Sequence, residues 1–191
     1  MRATCQEALA QDYPGIRIVG EMDWCTRALP GAQRILDYEL RLDAEVFASL
    51  PLTGLCLFQY PSPSDTLPAL AVGAHLQHLT TAGDIGQPAS VLPLAVTPAP
   101  GGARLHGHAD FDTRASLCAV LDALPSLREH TVHLDLSGTD FADADALARL
   151  SATATTLHLL GRGLVVHNPP PSQLRIAQLF PHEGSVLEMT A

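Results

Sequence analysis

Apolar residues follow two patterns in the first part of the chain, continuous runs and stripes at helical spacing. The runs IRIVGEMDW (16–24) and TGLCLFQY (53–60) predict two strands, and GAQRILDYELRLDAEVFASL (31–50) predicts an amphipathic helix between them. PSPSDTLPALAVGAHLQHL (61–79) predicts a turn followed by another helix. The order strand, helix, strand, helix indicates a parallel strand pair joined by helical crossovers.

The same patterns return after TTAGDIGQPAS (80–90), a run of small residues with Gly and Pro that predicts a linker over residues 81–89. VLPLAVTPAPGGARLHGHADF (91–111) predicts two strands with a Pro and Gly turn between them. A helix follows, because five apolar residues fall at i, i+3, i+4, i+7 and i+10. They are Leu117, Val120, Leu121, Leu124 and Leu127.

The last part of the chain completes an α/β pattern. TVHLDL (131–136) and LVVHN (164–168) predict strands, and DADALARLSATATTLHLLG (143–161) predicts the helix that connects them. PPPSQLRIAQLF (169–180) predicts a closing helix with Ser172 as its N-cap. The predicted fold class is therefore α/β in two units, 1–80 and 90–191, and the second unit has the order β β α β α β α.

The net charge of the chain argues against several classes of binding partner. The 191 residues carry 20 acidic side chains and 11 arginines, with no lysine, and the formal net charge is −9. A field of this sign repels phosphate backbones and anionic lipids, so neither nucleic acid nor a membrane surface is expected as a partner. The lack of lysine excludes Schiff-base chemistry and the lysine of a phosphate-binding loop.

The termini and the cysteines indicate a location. The first residues lack the continuous apolar run of a signal peptide, and no apolar window approaches the length of a membrane span. The four cysteines have no CxxC spacing. A cytoplasmic protein with reduced thiols is predicted.

Three aspartates, Asp140, Asp143 and Asp145, lie where a predicted strand passes into a helix. Grouped carboxylates can bind Mg²⁺. Alternatively, Asp143 caps the helix and Asp145 meets the helix dipole in its first turn. The second interpretation is favoured, because no base, phosphate loop or second acidic cluster accompanies them in the sequence.

Two histidine pairs have a spacing that metal ligands use. His106 and His108 alternate along a predicted strand, and His75 and His78 lie three positions apart in a predicted helix. Zinc takes four ligands, and neither pair has an evident third. Both pairs are interpreted as structural, and the sequence predicts no metal and no cofactor.

Glu21 and Trp24 lie at the end of the first strand, where α/β sheets bind ligands, and they are candidates for a ligand pocket. The alternative for Glu21 is a buried carboxylate paired with an arginine such as Arg17 or Arg41. No catalytic residue is predicted.

LHGHADF (105–111), VHLDLSGTDFADADAL (132–147) and GRGLVVHNPPPSQLRIAQLF (161–180) occur in the order and at the distances of known family motifs. The first resembles the L-x-G-x-x-D strand end of the STAS domain of anti-sigma-factor antagonists and sulfate transporters. The second resembles V-x-L-D-L-S-G-x-x-F-x-D-S-x-G-L of that family, and the third resembles its glycine turn, strand and final helix. The resemblance implies a mixed sheet flanked by helices over residues 90–191.

YPGIRIVGEMDW (13–24), LDYELRLD (36–43) and LCLFQYPSPSDTLPALAVGAH (55–75) resemble the C-terminal half of a MEDS domain, a sensory module of methanogens and methylotrophs. This resemblance implies a truncated α/β half-domain over residues 1–80, without the half in which related folds keep a phosphate loop. Half a parallel sheet has an uncovered face, so a homodimer or packing against the STAS unit is expected.

The STAS resemblance implies a non-enzymatic signalling protein. It would bind an anti-sigma factor of the histidine-kinase-like class, or another STAS protein, through the surface from Ser137 to Arg149. The alternative is a small-molecule or nucleotide sensor, whose first unit binds the ligand and signals through the STAS domain. A third alternative is residual catalysis at Glu21.

In related switches a phosphorylated serine occupies the position of Ala144, which has no hydroxyl. Asp145 would then hold a fixed negative charge in place of the phosphate. If phosphate regulation persists, Ser137 or Thr139 must carry it, and Ser137 is the candidate phosphosite. The alternative for Ser137 is a hydroxyl that bonds to the local backbone.

Overall fold

The first unit contains a parallel strand pair. A computed structural model describes residues 2–27, 29–58, 66–75, 78–79, 85–86, 93–181 and 187–190. Strand β1 (Ile16–Glu21) pairs with β2 (Leu52–Leu57) in parallel, and helix α2 (Ile35–Glu45) lies in the crossover. The predicted parallel pair is therefore confirmed.

The helix predicted over residues 31–50 is interrupted at both ends. Gly31 has a left-handed φ of 91°, and a 3₁₀ turn at Ala32–Arg34 precedes α2. Helix α2 ends at Glu45, and a second 3₁₀ turn follows at Phe47–Ser49. The Phe47 ring packs against the backbone of Gly54 in β2, which leaves no room there for a Cβ. Phe47 therefore lies outside α2 and packs on β2.

Helices α1 (Arg2–Ala10) and α3 (Thr66–Gly73) flank this pair in sequence. Helix α3 is shorter than the helix predicted within residues 61–79. After it, β3 (His78–Leu79) pairs in antiparallel fashion with β4 (Ile85–Gly86). His75 and His78 therefore do not share a helix. Most of the predicted linker lies outside the described residues.

The second unit is a five-stranded mixed sheet of order β5–β6–β7–β8–β9. Strands β5 and β6 are antiparallel, and the remaining neighbours are parallel. The elements are β5 (Leu94–Ala99), β6 (Gly102–Ala109), α4 (Arg114–Ala123), β7 (Thr131–Ala142), α5 (Ala144–Leu159), β8 (Gly163–His167), α6 (Pro171–Leu179) and β9 (Glu188–Thr190). The predicted order is confirmed, and β9 is an additional strand whose three residues are too few to give a periodic pattern.

Helix α6 begins differently from the prediction. Its N-cap is Pro170, with a proline at the first helical position and no side-chain cap. The Ser172 hydroxyl accepts a hydrogen bond from the amide of Ala142 at 3.1 Å. Ser172 thus ties α6 to the end of β7, and its prediction as an N-cap was wrong.

Strand β7 continues six residues beyond the predicted end at Leu136 and is irregular where it pairs with β6. The register shifts between Arg104 and His106 and again between Gly107 and His108. Up to Leu136 the even-numbered residues of β7 are buried, but Thr139 is buried beyond the first shift. The irregularity therefore changes which side chains of β7 face the core.

One hydrophobic core connects the two units. It contains Leu134 of β7, Leu121 of α4 and Leu150 of α5, together with side chains of the first unit. The first-unit members are Leu36, Leu40, Leu70 and Ala74. Helices α2 and α3 therefore pack on the five-stranded sheet. Within the described residues, no helix has the length and apolar character that crossing a membrane requires.

Candidate functional site

The end of β7 and the start of α5 form a tightly capped turn. The Asp143 carboxylate accepts a hydrogen bond from the Ala146 amide at 2.8 Å, and Asp143 is the N-cap of α5. The Asp143 amide in turn donates to the carbonyl of Ala109 in β6 at 3.0 Å. The capping interpretation of Asp143 is therefore confirmed, and Asp145 lies in the first turn as expected.

Asp145 is held between two arginines. Its Oδ2 atom is 2.9 Å from Arg114 Nε, and Arg149 Nε donates to the same oxygen. Arg149 Nη1 also approaches Cys118 Sγ at 2.8 Å, so these contacts join α4 to α5. The hydrogen bond from Arg149, followed by the charge of Arg114, lowers the pKa of Asp145. Two guanidinium groups therefore compensate the charge of this carboxylate, for which the sequence predicts a fixed negative charge in place of a phosphate.

Exposed side chains of mixed character surround this turn. Ala144, the first residue of α5, is exposed. The Phe111 ring is 73% exposed and the Phe141 ring 44%. The guanidinium of Arg114 lies 5.0 Å from the centre of the Phe111 ring. We call the residues Phe111, Arg114, Phe141, Ala144, Asp145 and Arg149 the α5 surface.

The loop that carries Phe111 is built by Asp110. Its Oδ1 atom accepts hydrogen bonds from the amides of Asp112 and Thr113 at 3.1 and 3.2 Å. The Thr113 hydroxyl donates to the carbonyl of His108 at 2.7 Å. These local bonds fix the chain between β6 and α4 and leave the Phe111 ring exposed.

The two predicted hydroxyls have different surroundings. Ser137 is exposed, and its amide donates to Asp135 Oδ1 at 2.8 Å. Thr139 is 6% exposed, and its hydroxyl has no hydrogen-bond partner among the described residues. Ser137 therefore lies at the surface of β7, whereas Thr139 is buried. Asp140, which follows, is exposed.

A polar cluster lies on the face of the five-stranded sheet that is directed away from the core, and the sequence analysis did not predict it. Asp135 accepts hydrogen bonds from Arg104 Nε at 2.7 Å and from Asn168 Nδ2 at 3.0 Å. His133 and His167 stack and share a hydrogen bond of 2.8 Å. These side chains line a cleft of about 370 Å³. The signal was present in TVHLDLS, where alternate polar positions face away from the core.

The predicted pocket residues of the first unit do not act together. Trp24 packs edge-on against Tyr38, with ring centres 6.0 Å apart, and lines a cavity of about 400 Å³ together with residues of α2. Glu21 is exposed at the end of β1 and is not part of this lining. Arg41 pairs with Glu45 at 2.9 Å, so the pairing of a buried Glu21 with Arg41 is not found.

The histidine pairs are also separated. His106 Nε2 lies 2.9 Å from the Thr97 hydroxyl, whereas His108 is exposed. Gly107 between them has a φ of 100°, which breaks the regular alternation of the strand. His75 instead lies near Glu39 and Cys56, and all three carry atoms that can ligate a metal.

Comparison with protein families agrees with this division of the chain. Residues 1–75 match the family described as MEDS, the methanogen/methylotroph, DcmR sensory domain. Residues 94–188 match the family described as Mlab, STAS domain. No protein with a curated function matches the chain.

Proposed function

The chain carries a MEDS domain followed by a STAS domain, and we propose that it is a non-enzymatic regulatory protein that binds a protein partner through its STAS domain. The partner class is an anti-sigma factor of the histidine-kinase-like type or another STAS protein. The α5 surface is the binding site.

The observation that carries this proposal is the exposure of Phe111, which lies next to Arg114, and of Phe141 near the start of α5. Phe111 lies two residues after the end of β6, and Phe141 is the next-to-last residue of β7, where it pairs with His108. Aromatic and arginine side chains are the groups that contribute most to protein interfaces. Exposed aromatic side chains are costly in water, and this cost is relieved when a partner covers them.

Ala144 supports binding that is independent of phosphate at this position. An alanine at the first position of α5 has no group to phosphorylate, and Asp145 beside it is already compensated by Arg114 and Arg149. A phosphoserine here would add close to two negative charges at the partner surface. The proposed binding therefore lacks the usual switch at this position.

Affinity purification of the full chain from its native host, with mass spectrometry, tests the proposal. Phe141→Ala removes an exposed ring and should weaken binding to the recovered partner at least about tenfold. Leu159→Ala is the matched control, because Leu159 is 81% exposed at the opposite end of α5. Equal binding by the two variants would place the interface elsewhere.

Regulation by phosphate, if present, is proposed for Ser137. Its amide bonds to the Asp135 carboxylate, and a phosphate on its hydroxyl would place further negative charge beside that group. Intact mass after incubation with the cognate kinase should show one phosphate that is lost in Ser137→Ala and kept in Thr139→Val. Unchanged phosphorylation in Ser137→Ala contradicts this assignment.

The cavity beside Trp24 favours a second candidate function, a small-molecule or nucleotide sensor in the first unit. Its lining includes the rings of Trp24 and Tyr38 and the guanidinium groups of Arg34 and Arg41. Calorimetry with nucleotides and common metabolites separates the two functions, because a protein that only binds partners gives no heat. Trp24 is the single tryptophan, so its fluorescence reports on binding to this cavity directly.

A further inference from the structure

Three side chains with metal-ligand atoms converge in the first unit from three different elements. Glu39 lies on α2, Cys56 on β2, and His75 just after α3. Their ligand atoms all lie within 4.8 Å of one another, and Glu39 Oε2 is 3.8 Å from His75 Nε2. The three residues are far apart in the sequence, so no spacing motif predicts the cluster.

Glu39 is the most unusual member of the group. Its side chain is 7% exposed, and its Oε1 atom is buried without a hydrogen-bond partner among the described residues. A buried carboxylate without partners is strongly destabilising unless it binds a proton or a cation. Burial accordingly raises the pKa of Glu39 to about 7. A proton or a cation at Glu39 would relieve the cost of this unpaired oxygen.

His75 is oriented as a metal-bound histidine would be. Its Nδ1 atom lies 2.9 Å from the carbonyl of Ala71, so Nδ1 carries the proton that this carbonyl accepts. The Nε2 atom, which then carries the lone pair, lies 3.8 Å from Glu39 Oε2. A backbone carbonyl that fixes the second ring nitrogen is the usual support of a metal-ligating histidine. The Phe58 ring packs edge-on against the imidazole at 5.4 Å and holds it in place.

Cys56 supplies the third ligand atom as a free, partly buried thiol. Burial, followed by the charge of Glu39, raises the pKa of Cys56 to about 11, so without a metal it stays protonated. A bound divalent cation reverses this preference and ionises the thiol. The thiolate, the carboxylate and a neutral imidazole then carry two negative charges, which match one divalent cation.

We propose that Glu39, Cys56 and His75 form a zinc site with three protein ligands and a fourth position for water. A set of one sulfur, one nitrogen and one oxygen atom suits Zn²⁺, and three protein ligands with an open position are typical of zinc centres that bind a further ligand. Among the side chains that the structure describes, no fourth histidine, cysteine or acidic group joins the three.

The geometry needs a modest contraction. Bonds of about 2.0 to 2.3 Å in a tetrahedron place ligand atoms roughly 3.3 to 3.8 Å apart. The Glu39 to His75 separation of 3.8 Å already satisfies this, and the longest separation in the group stays within 4.8 Å. The metal would join α2, β2 and the end of α3, and so stabilise the first unit.

Cobalt titration of the full chain tests the site. Reduced, chelator-treated protein should bind one equivalent of Co²⁺ and develop the visible bands of tetrahedral cobalt together with a thiolate charge-transfer band in the near ultraviolet. Zn²⁺ should displace the cobalt. Absence of these bands, or failure of zinc to displace the metal, overturns the proposal.

Two variants assign the ligands. In Cys56→Ala the thiolate charge-transfer band should disappear, and the affinity for Co²⁺ should fall at least about tenfold. Cys25→Ala, which alters another cysteine of the same small cluster, should keep both. Retention of the band in Cys56→Ala, or equal loss in both variants, contradicts the assignment.

The thermal stability of Glu39→Gln, with and without Zn²⁺, distinguishes loss of a metal ligand from misfolding. This variant keeps the size of the side chain and removes the buried charge, so its metal-free form should melt no lower than the metal-free wild type. It should then fail to gain thermal stability on addition of Zn²⁺, whereas the wild type and Glu45→Gln gain it. A zinc-dependent rise in Glu39→Gln equal to that of the wild type overturns the proposal.

Discussion

Two acidic residues, Asp135 and Glu39, show how surroundings determine the ionisation of the same functional group. Partial burial raises the pKa of Asp135, but hydrogen bonds from Asn168, Ser137 and Arg104 outweigh burial and hold that pKa well below its usual range. Glu39 is more deeply buried, its Oε1 atom has no hydrogen-bond partner among the described residues, and burial raises its pKa to about 7. The two carboxylates therefore respond to pH in opposite ways.

Glu39 should make the metal-free protein less stable as the pH rises. The pKa of its folded state, about 7, lies above its ordinary value of 4.5. Below pH 4.5 both states are protonated, and between these values only the unfolded state loses its proton. Stability should therefore fall across this window by at most about 3 kcal/mol.

Urea unfolding of chelator-treated protein across this pH window measures the effect. Glu39→Gln should remove most of the fall, because glutamine does not titrate. Identical pH profiles for the wild type and Glu39→Gln would show that Glu39 ionises normally in the folded state.

Sequence reasoning succeeded for individual residues where the contact is local. Asp143 was predicted as an N-cap, since a capping carboxylate needs only the amides of the next turn. It failed for Ser172, which bonds to Ala142 across 30 positions, and for the burial of Thr139, which depends on the irregular pairing of β6 and β7. Contacts between distant segments leave no local pattern to read.

At the scale of elements, the close approach of β6 to the start of β5 requires one glycine. Gly107 has a φ of 100°, and a Cβ added there would lie 2.1 Å from the carbonyl oxygen of Pro93. Gly161, after α5, also has a positive φ of 71°, but nothing lies within 4 Å of its added Cβ. Alanine substitutions at these two positions therefore distinguish the cost of backbone strain from the cost of steric overlap.

Gly107→Ala should therefore destabilise the protein more than Gly161→Ala. The left-handed conformation alone costs a non-glycine residue about 1–2 kcal/mol, and this cost applies to both variants. Only Gly107→Ala must also move the backbone of Pro93. Chemical denaturation of both variants measures the difference, and equal losses would contradict the steric argument.

The cap of α5 gives a second prediction at this scale. Asp143→Ala removes the carboxylate that accepts the Ala146 amide and should lower the free energy of unfolding by about 1 kcal/mol. Asp140→Ala is the matched control, since Asp140 is exposed in β7 and does not cap the helix. A loss of the same size in both variants would mean that charge, and not capping, stabilises this turn.

Elements with long patterns were predicted, and short or interrupted ones were not. The stripe of α4 and the parallel pair of β1 and β2 follow from periodicity and order. The three-residue strand β9 gives no period, and the break before Phe47 results from its contact with Gly54. The Glu39, Cys56 and His75 group escaped detection because β2 and two helices bring it together only in the folded chain.

At the scale of the whole molecule, the two units share one core. Leu36 and Leu40 of α2 and Leu70 of α3 are each 1% exposed within the same cluster as the sheet residues. The sequence predicts that the uncovered face of the first unit is buried by association. In the structure, helices of the first unit pack against the second unit. The shared core predicts that the two units unfold together.

Leu40→Ala tests this coupling. It should lower the free energy of unfolding by about 2–5 kcal/mol, because it leaves a cavity at the junction of the units. Calorimetry should show a single unfolding transition for the wild type. In Leu40→Ala this transition should remain single and shift to lower temperature. Two separate transitions, of which only one moves, would show that the units are thermodynamically independent.

The two outermost strands of the large sheet have a consequence for association. Strand β5 contains Pro98, which has no amide hydrogen to offer, and β9 has three residues. A further strand from another molecule would find an incomplete hydrogen-bonding ladder on either side. Both borders of the sheet therefore oppose its growth by strand addition and the fibre-like aggregation that such growth would produce.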